Sequence, residues 1–254
     1  VMRAIEVIPD GKEFTGAIND RLEKTVEQTV DIPENSIDGA SNILVKVYPG
    51  IFSQVVEGMD KILQMPFGCF EQTSSATYPN ILVLDYMKAT GKITPEVRMK
   101  AEQYINLGYQ RLVTFEVPGG GFSWFGNPPA NKVLTAYGVM EFYDMSKVYE
   151  VDERLIQRTQ QWLIAQREKD GSWSPDKSYL HAESWSTIQK SNLLPTAWIT
   201  WALAHSGYPA SELKPSVEYL RRNASDAKDA YSAAMVANAL VAADPKGSAT
   251  EEAI

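Results

Sequence analysis

One cysteine and one glutamine carry the chemistry legible in this chain. Cys69 is the single cysteine among 254 residues. It stands in the stretch Met65-Pro66-Phe67-Gly68-Cys69-Phe70-Glu71-Gln72-Thr73. Gln72 follows three positions later, about one helical turn, so the two side chains can face each other. Gly68 lets the backbone before the cysteine take a tight conformation closed to other residues. A thiol so placed can attack the Gln72 carboxamide, expel ammonia and leave a thioester. Sulfur donates weakly into a carbonyl and departs readily as thiolate, so the chain would then store an activated acyl group. Attack by an amine or hydroxyl of a target moves the Gln72 acyl group to that target and frees Cys69. This is single-turnover covalent chemistry, related to nucleophilic catalysis but without regeneration. The plainer reading of a lone cysteine is a buried structural one, and the company of Gly68, Glu71 and Gln72 is what tips the balance. Glu71 has no derivable role beyond an acceptor at a helix start, where a carboxylate is favoured. Water competes for any thioester, so the bond must be kept dry. Met65, Phe67, Phe70 and Tyr78 are candidates for a shield, although core packing would account for any one of them.

The remaining polar signals are weaker. The chain has two histidines, His181 and His205. With one cysteine and no His-Glu-x-x-His pattern, a zinc site is not expected, and neither is any other metal or cofactor. His181 lies on the polar stretch Lys177-Ser178-Tyr179-Leu180-His181-Ala182-Glu183, where an ordinary hydrogen bond would account for it. His205 precedes Ser206-Gly207 and reads as a favourable charge at a helix C-terminus when protonated. Asn223-Ala224-Ser225 fits a glycosylation acceptor, a short and common match. Trp162, Trp173, Trp185, Trp198 and Trp201 read as helix-packing core rather than a ligand box.

Two kinds of pattern position these residues. Residues 1 to about 48 read as β-rich, with strands expected over Arg3 to Pro9, Lys24 to Val30 and Ile43 to Tyr48. Three strands are too few to close a core alone, so they should join a sheet completed elsewhere or lie against the next region. From Ile51 the period becomes helical. Eight helices are predicted, at about 51–64, 72–90, 95–115, 130–147, 152–168, 194–206, 210–223 and 227–244. Thr94 with Pro95, Asp152, Gly91 and Gly207 mark helix ends. The segment from Val133 to Phe142 is apolar around much of its circumference, as in helices packed on more than one side. Leu112 is followed by Pro118-Gly119-Gly120-Gly121-Phe122-Ser123-Trp124. About fifty residues on, Trp162 to Gln166 is followed by Asp170-Gly171-Ser172-Trp173. A helix, a glycine turn and an aromatic recurring at that period indicate stacked helical hairpins.

Composition sets outer limits. Hydrophobic residues make up 44% and charged residues 22%, an ordinary globular balance. The net charge of −8 and the lack of a basic cluster leave no electrostatic footprint for nucleic acid or an anionic membrane. No apolar run approaches the roughly 20 residues that cross a bilayer. The opening Val1-Met2-Arg3-Ala4 and the helix-like close at Thr250 to Ile254 read as an excised part of a longer protein.

The stretch from Pro66 through Gly68, Cys69, Glu71 and Gln72 to Thr73 resembles the thioester motif of the α2-macroglobulin/complement superfamily. The helices expected on either side of it match as well. Gln166 with Asp170-Gly171-Ser172-Trp173 resembles the turn of α/α toroids, a fold shared by terpene cyclases, protein prenyltransferases and complement thioester domains. The resemblance covers essentially the whole chain. It implies a mainly α fold: an incomplete α/α toroid of helical hairpins over 49–254, preceded over 1–48 by strands of a flanking CUB-like β-sandwich. It implies covalent capture of target proteases or cell-surface nucleophiles, as a protease-trapping endopeptidase inhibitor or an opsonin, rather than a turnover enzyme. Proteolysis elsewhere in the parent would be the trigger. Other domains of the parent would be partners, and the parent would be extracellular or periplasmic. A large residue such as Phe70 between the cysteine and the glutamate is similar to bacterial members. His181 resembles the histidine of hydroxyl-reactive complement components, which attacks the acyl group to form an acyl-imidazole while the freed Cys69 thiolate acts as base. Competing readings are a toroid enzyme of the terpene cyclase or prenyltransferase kind, a Cys69/His181 hydrolase, and a helical interaction scaffold with an inert cysteine. The first lacks its Asp-rich motifs, and no Gly-x-Ser-x-Gly elbow indicates a serine hydrolase.

Overall fold

The structure is a computed structural model. It describes residues 10–21, 23–47, 58, 62–91, 94–177, 186, 188, 190–245 and 247. The chain divides into two units, Val1–Gly50 and Ile51–Ile254.

The first unit contains no strand among its described residues. Lys24 to Val30 and Ile43 to Val47 are irregular, so the strands expected there are not shown; Arg3 to Pro9 lies outside the described residues. The reason is visible in exposure. Val30, Ile43, Leu44, Val45 and Val47 are all exposed. Alternating apolar residues form a ladder only when a second layer covers their face, and among the described residues of this segment none does.

The second unit contains seven α-helices among the described residues: α1 Phe70–Thr90, α2 Pro95–Val113, α3 Lys132–Ser146, α4 Glu153–Ala165, α5 Leu193–His205, α6 Ala210–Asn223 and α7 Ala230–Ala243. A short 3-10 turn, Ala224–Asp226, precedes α7. The helix expected at 51–64 falls almost wholly outside the described residues. Side-chain caps set most starts. Thr94 accepts from the Val97 N–H with Pro95 at the first helical position, and Asn131, Asp152 and Asp229 cap α3, α4 and α7 in the same way.

Odd-numbered and even-numbered helices differ in kind. α1, α3, α5 and α7 pack side by side in that order, while α2, α4 and α6 lie against α1, α3 and α5 in a second layer. The sequence explains the division. α4 buries Leu155, Ile156, Thr159, Gln160 and Leu163, a single stripe at helical spacing. α5 buries nine of its thirteen residues, from Leu193 through Leu203, on nearly every side. One-sided helices belong in an outer layer and all-round apolar helices between neighbours. The arrangement is mainly helical and consistent with an α/α toroid.

The repeat seen in the sequence has a structural counterpart. Phe122 and Trp173, each following a glycine turn, are fully buried. The Phe122 N–H donates to Thr135 Oγ1 on α3 at 2.8 Å, and the Trp173 N–H donates to Thr196 Oγ1 on α5 at 2.9 Å. Each hairpin thus passes its aromatic under the next inner helix and ties it there with one hydroxyl. Trp162, Trp198 and Trp201 pack against the same core, and Trp185 lies outside the described residues. Asn223 ends α6 with its amide donating to the Tyr219 carbonyl at 2.8 Å.

Two carboxyl groups sit in the seam between inner helices. Asp144 on α3 accepts from Tyr78 Oη of α1 at 2.5 Å, from Lys147 Nζ at 2.7 Å, and meets His205 Nε2 of α5 at 2.9 Å. Burial works to raise it, but these bonds together hold it below the usual carboxylate range. His205 therefore pairs with a carboxylate as well as closing α5. Glu141, one turn earlier, is fully buried, and neither of its oxygens has a well-formed hydrogen bond, though Ser74 lies beside it.

Burial pushes the Glu141 carboxyl up to about 8, above its unfolded value of roughly 4.3. Between those values the folded chain holds a proton that the unfolded chain has lost. The stabilisation is therefore complete at pH 4 and is lost as pH rises towards 8. We expect Glu141→Gln to remove this dependence. Urea unfolding at pH 5 and pH 8 should show the wild type losing on the order of 4 kcal/mol relative to the variant between the two. A difference independent of pH would count against a protonated Glu141.

Candidate functional site

The start of α1 is built from residues just before the helix and residues inside it. Asn80, fully buried on α1, holds the incoming chain by a reciprocal pair: the Gln64 N–H donates to its Oδ1 at 3.0 Å and its Nδ2 donates to the Gln64 carbonyl at 2.8 Å. The chain then turns at Gly68, whose φ of +80° is the left-handed region that favours glycine. Cys69 follows in extended conformation as the N-cap of α1. The helix thus begins at Phe70, two residues before the predicted 72.

At this turn the two sequence-predicted reactive residues meet. The Cys69 N–H donates to Gln72 Oε1 at 3.2 Å, and the Cys69 side chain in return lies against the backbone N–H of Gln72. This is a capping box, with cysteine and glutamine in the places more often taken by serine and glutamate. Gly68 is needed a second time here, because a Cβ on it would lie 2.0 Å from Gln72 Oε1. The carboxamide occupies the space that any other residue's side chain would fill. Cys69 is buried, at 7% exposure, whereas Gln72 is exposed. Both residues line the same cleft.

Three neighbours hold the turn, and the sequence pointed to none of their roles. Thr73 Oγ1 donates to the Phe67 carbonyl at 3.1 Å. Arg111, near the end of α2, donates from Nε and Nη2 to the Gly68 carbonyl at 2.9 and 2.5 Å. Trp124, in the loop from α2 to α3, accepts the Phe70 N–H on its carbonyl at 2.9 Å and donates its indole N–H to Glu71 at 3.0 Å. Glu71 thereby gains a role: it ties the first turn of α1 to that loop. A Gly-Gly-Gly turn running into Ser-Trp was legible as a loop, but nothing local marked which acceptor its indole would find.

Phe70 anchors the same turn. It is fully buried, with ring centroids 6.1 Å from Phe115 and 5.2 Å from Phe122. Its burial is worth roughly 1.5–3 kcal/mol, and it fixes the axial position of Cys69, its neighbour. The shield expected of four residues is therefore divided differently. Phe70 is core, Tyr78 is engaged with Asp144, and Met65 and Phe67 are exposed. A cleft of about 460 Å³ beside the pair is lined by Gln64, Phe67, Cys69, Glu71, Gln72, Ser75, Ala76 and Phe125. His181 lies outside the described residues. Among the described residues no group of three or more His, Cys, Asp or Glu side chains could hold a metal ion, and no helix is long and apolar enough to cross a membrane.

Comparison with known proteins now decides the family. Residues 42–254 match the family described as the A-macroglobulin TED domain. The chain belongs to that family. Ovostatin of Gallus gallus is 28% identical over 248 residues, covering 94% of this chain and 17% of ovostatin. Alpha-2-macroglobulin-like protein 1 of Mus musculus is 25% identical over 192 residues, covering 74% of this chain and 13% of that protein. The chain thus spans less than a fifth of the length of either relative. In this member of the A-macroglobulin TED family the Cys69–Gln72 contact occupies the first turn of the first described helix.

In this TED domain Gly68→Ala should act twice, through φ and through contact with the carboxamide. We expect a loss of about 1–3 kcal/mol in thermal or urea unfolding. We also expect a changed environment for Gln72, read from the side-chain amide NMR shifts. A Gly68→Ala protein with unchanged stability and unchanged Gln72 amide signals would show that the turn relaxes freely.

Proposed function

We propose that this TED domain captures targets covalently through a thioester between Cys69 Sγ and Gln72 Cδ, as part of an A-macroglobulin-like protein. The observation that carries the reading is the reciprocal contact of Cys69 and Gln72 across the Gly68 turn. In thioester formation the S–C bond forms and the C–N bond breaks, and the thiol proton leaves with the amide nitrogen as ammonia. In capture, a target amine adds to Cδ, the C–S bond breaks, and a proton passes to sulfur. Each chain acts once, so this is acyl transfer and not turnover. Neither a metal nor a separate cofactor takes part. The acyl group is an internal one.

The parent protein would trap proteases or mark foreign surfaces, with lysine amines or surface hydroxyls as the nucleophiles, and would work outside the cytoplasm, in the extracellular space or a periplasm. The family to which the chain belongs supports this class of role. A Cys/His hydrolase is disfavoured by the same contact, since a regenerating nucleophile gains nothing from a carboxamide folded onto its own N–H. The His181 step, attack on the Gln72 carbonyl to give an acyl-imidazole that a hydroxyl then takes up, stands on its place in the sequence.

The intact mass of gently purified protein should be one ammonia below that calculated from the sequence. Methylamine should add one molecule and expose one titratable thiol, and Cys69→Ser should show neither change. A full-mass protein with a free thiol under every gentle preparation would end the reading. His181→Asn should lose labelling by glycerol and keep labelling by methylamine, both read by mass; unchanged glycerol labelling removes the acyl-imidazole.

A further inference from the structure

The peptide unit joining Gly68 to Cys69 is held at both ends. It is trans and planar, so its carbonyl and its N–H point in opposite directions. The carbonyl receives two bonds from the Arg111 guanidinium, at 2.9 and 2.5 Å. The N–H of the same unit donates to Gln72 Oε1 at 3.2 Å. Arg111 also donates from Nε to Thr73 Oγ1 at 3.2 Å, and its guanidinium lies over the Phe115 ring, 5.7 Å from the centroid. Among the described residues no carboxylate forms an ion pair with it. A cation with three bonds to one turn is placed for that turn.

We infer that Arg111 is a positioning residue for acyl transfer at Gln72, acting through this peptide unit; the inference rests on the thioester reading above. Gln72 Oε1 is the atom that becomes the oxyanion when a nucleophile adds to Cδ. The Cys69 N–H is the donor already aimed at it. A positive charge on the far carbonyl orients that N–H and polarises it, since hydrogen bonds in a chain strengthen one another. Preorganised donors at a developing oxyanion are among the largest contributions to acyl transfer. The same donor serves both steps: the oxyanion forms when Cys69 Sγ attacks the carboxamide, and again when an amine attacks the thioester. In the second, the amine nitrogen bonds to Cδ, the C–S electrons return to sulfur, and the nitrogen proton passes to the thiolate.

Arg111 is exposed, so its replacement leaves the core intact. The test uses the full chain as wild type, Arg111→Gln and Arg111→Lys. Three quantities are followed: thioester content by intact mass, the second-order rate constant with methylamine, and thermal unfolding as a control for folding. We expect Arg111→Gln to lower the aminolysis rate constant on the order of tenfold. Arg111→Lys, which keeps the charge but not the fork, should recover part of it. The thioester carbonyl stretch, isolated as the infrared band lost on adding methylamine, should move to higher frequency in Arg111→Gln as the Cys69 N–H bond weakens. A purely structural role would move the unfolding temperature and leave that band in place. Arg111→Gln with wild-type rate constant and wild-type band overturns the inference while leaving the thioester standing. A wild type that has lost no ammonia overturns both. Should Arg111→Gln not fold, the rate and band of Arg111→Lys decide alone, and wild-type values there overturn the inference.

Discussion

The site depends on how α1 satisfies its own first turn. A helix begins with N–H groups that have no partner inside it, and here the Cys69 N–H finds one in the Gln72 side chain, three residues ahead. That bond folds the carboxamide back over Gly68 and brings it beside the cysteine. The condition for it is the missing side chain at Gly68, since the carboxamide oxygen sits where a Cβ would be. Capping, glycine geometry and reactive proximity are therefore one arrangement. A thiol and an amide that close cost little further entropy to join, because both rotamers are already fixed by the cap.

The two layers of helices give this turn its rigidity. Phe70 enters the core between Phe115 and Phe122, Asn80 holds Gln64, and Trp124 reaches Glu71 from the loop between α2 and α3. Phe115, Phe122 and Trp124 all belong to the connection between α2 and α3, so that one loop supplies most of the ties, and Asn80 adds another from α1 itself. The polar seam further along α1 and α3 is of another kind. Asp144 gathers Tyr78, Lys147 and His205, and Glu141 stays neutral by burial. Asp144 with its three partners ties three inner helices together, and Glu141 lies beside Ser74, next in the chain to Thr73.

Much of the helical unit was legible because its signals are local. Caps such as Thr94 and Asp152, a single stripe on α4, and the all-round apolar character of α5 place the helices and sort them into layers. The glycine-turn repeat anticipated a buried aromatic after each turn, and the structure matches Phe122 to Trp173. The contact of Cys69 with Gln72 was legible for the same reason: three residues of spacing decide which side chains can meet. What failed were the judgements that depend on partners far along the chain. The alternation at Lys24 to Val30 has no covering layer among the described residues, and the strand expected there is not shown. Phe70 and Tyr78 were grouped with Met65 and Phe67 by chemistry alone, although burial separates them. Arg111 and Trp124 lie about forty and fifty residues from the turn they hold, and nothing in the type or spacing of either residue announces a partner at Gly68 or Glu71.

The asymmetry of the pair bears on how a stored acyl group would behave. Cys69 is buried and Gln72 is exposed, and both line the adjoining cleft together with Phe67 and Phe125. An acyl carbon facing outward is reachable by a target amine, and equally by water. Water's advantage is concentration; the amine's advantages are nucleophilicity and, once a target is held nearby, an effective concentration that bulk reagents do not reach. Capture therefore requires that the outward face be covered until a target is in place. The covering cannot come from Phe70 or Tyr78, which are engaged inside the fold. It has to act on the face that Met65, Phe67 and Phe125 present, so the timing of the chemistry is set by whatever occupies that face rather than by the thiol, whose own surroundings the core already fixes.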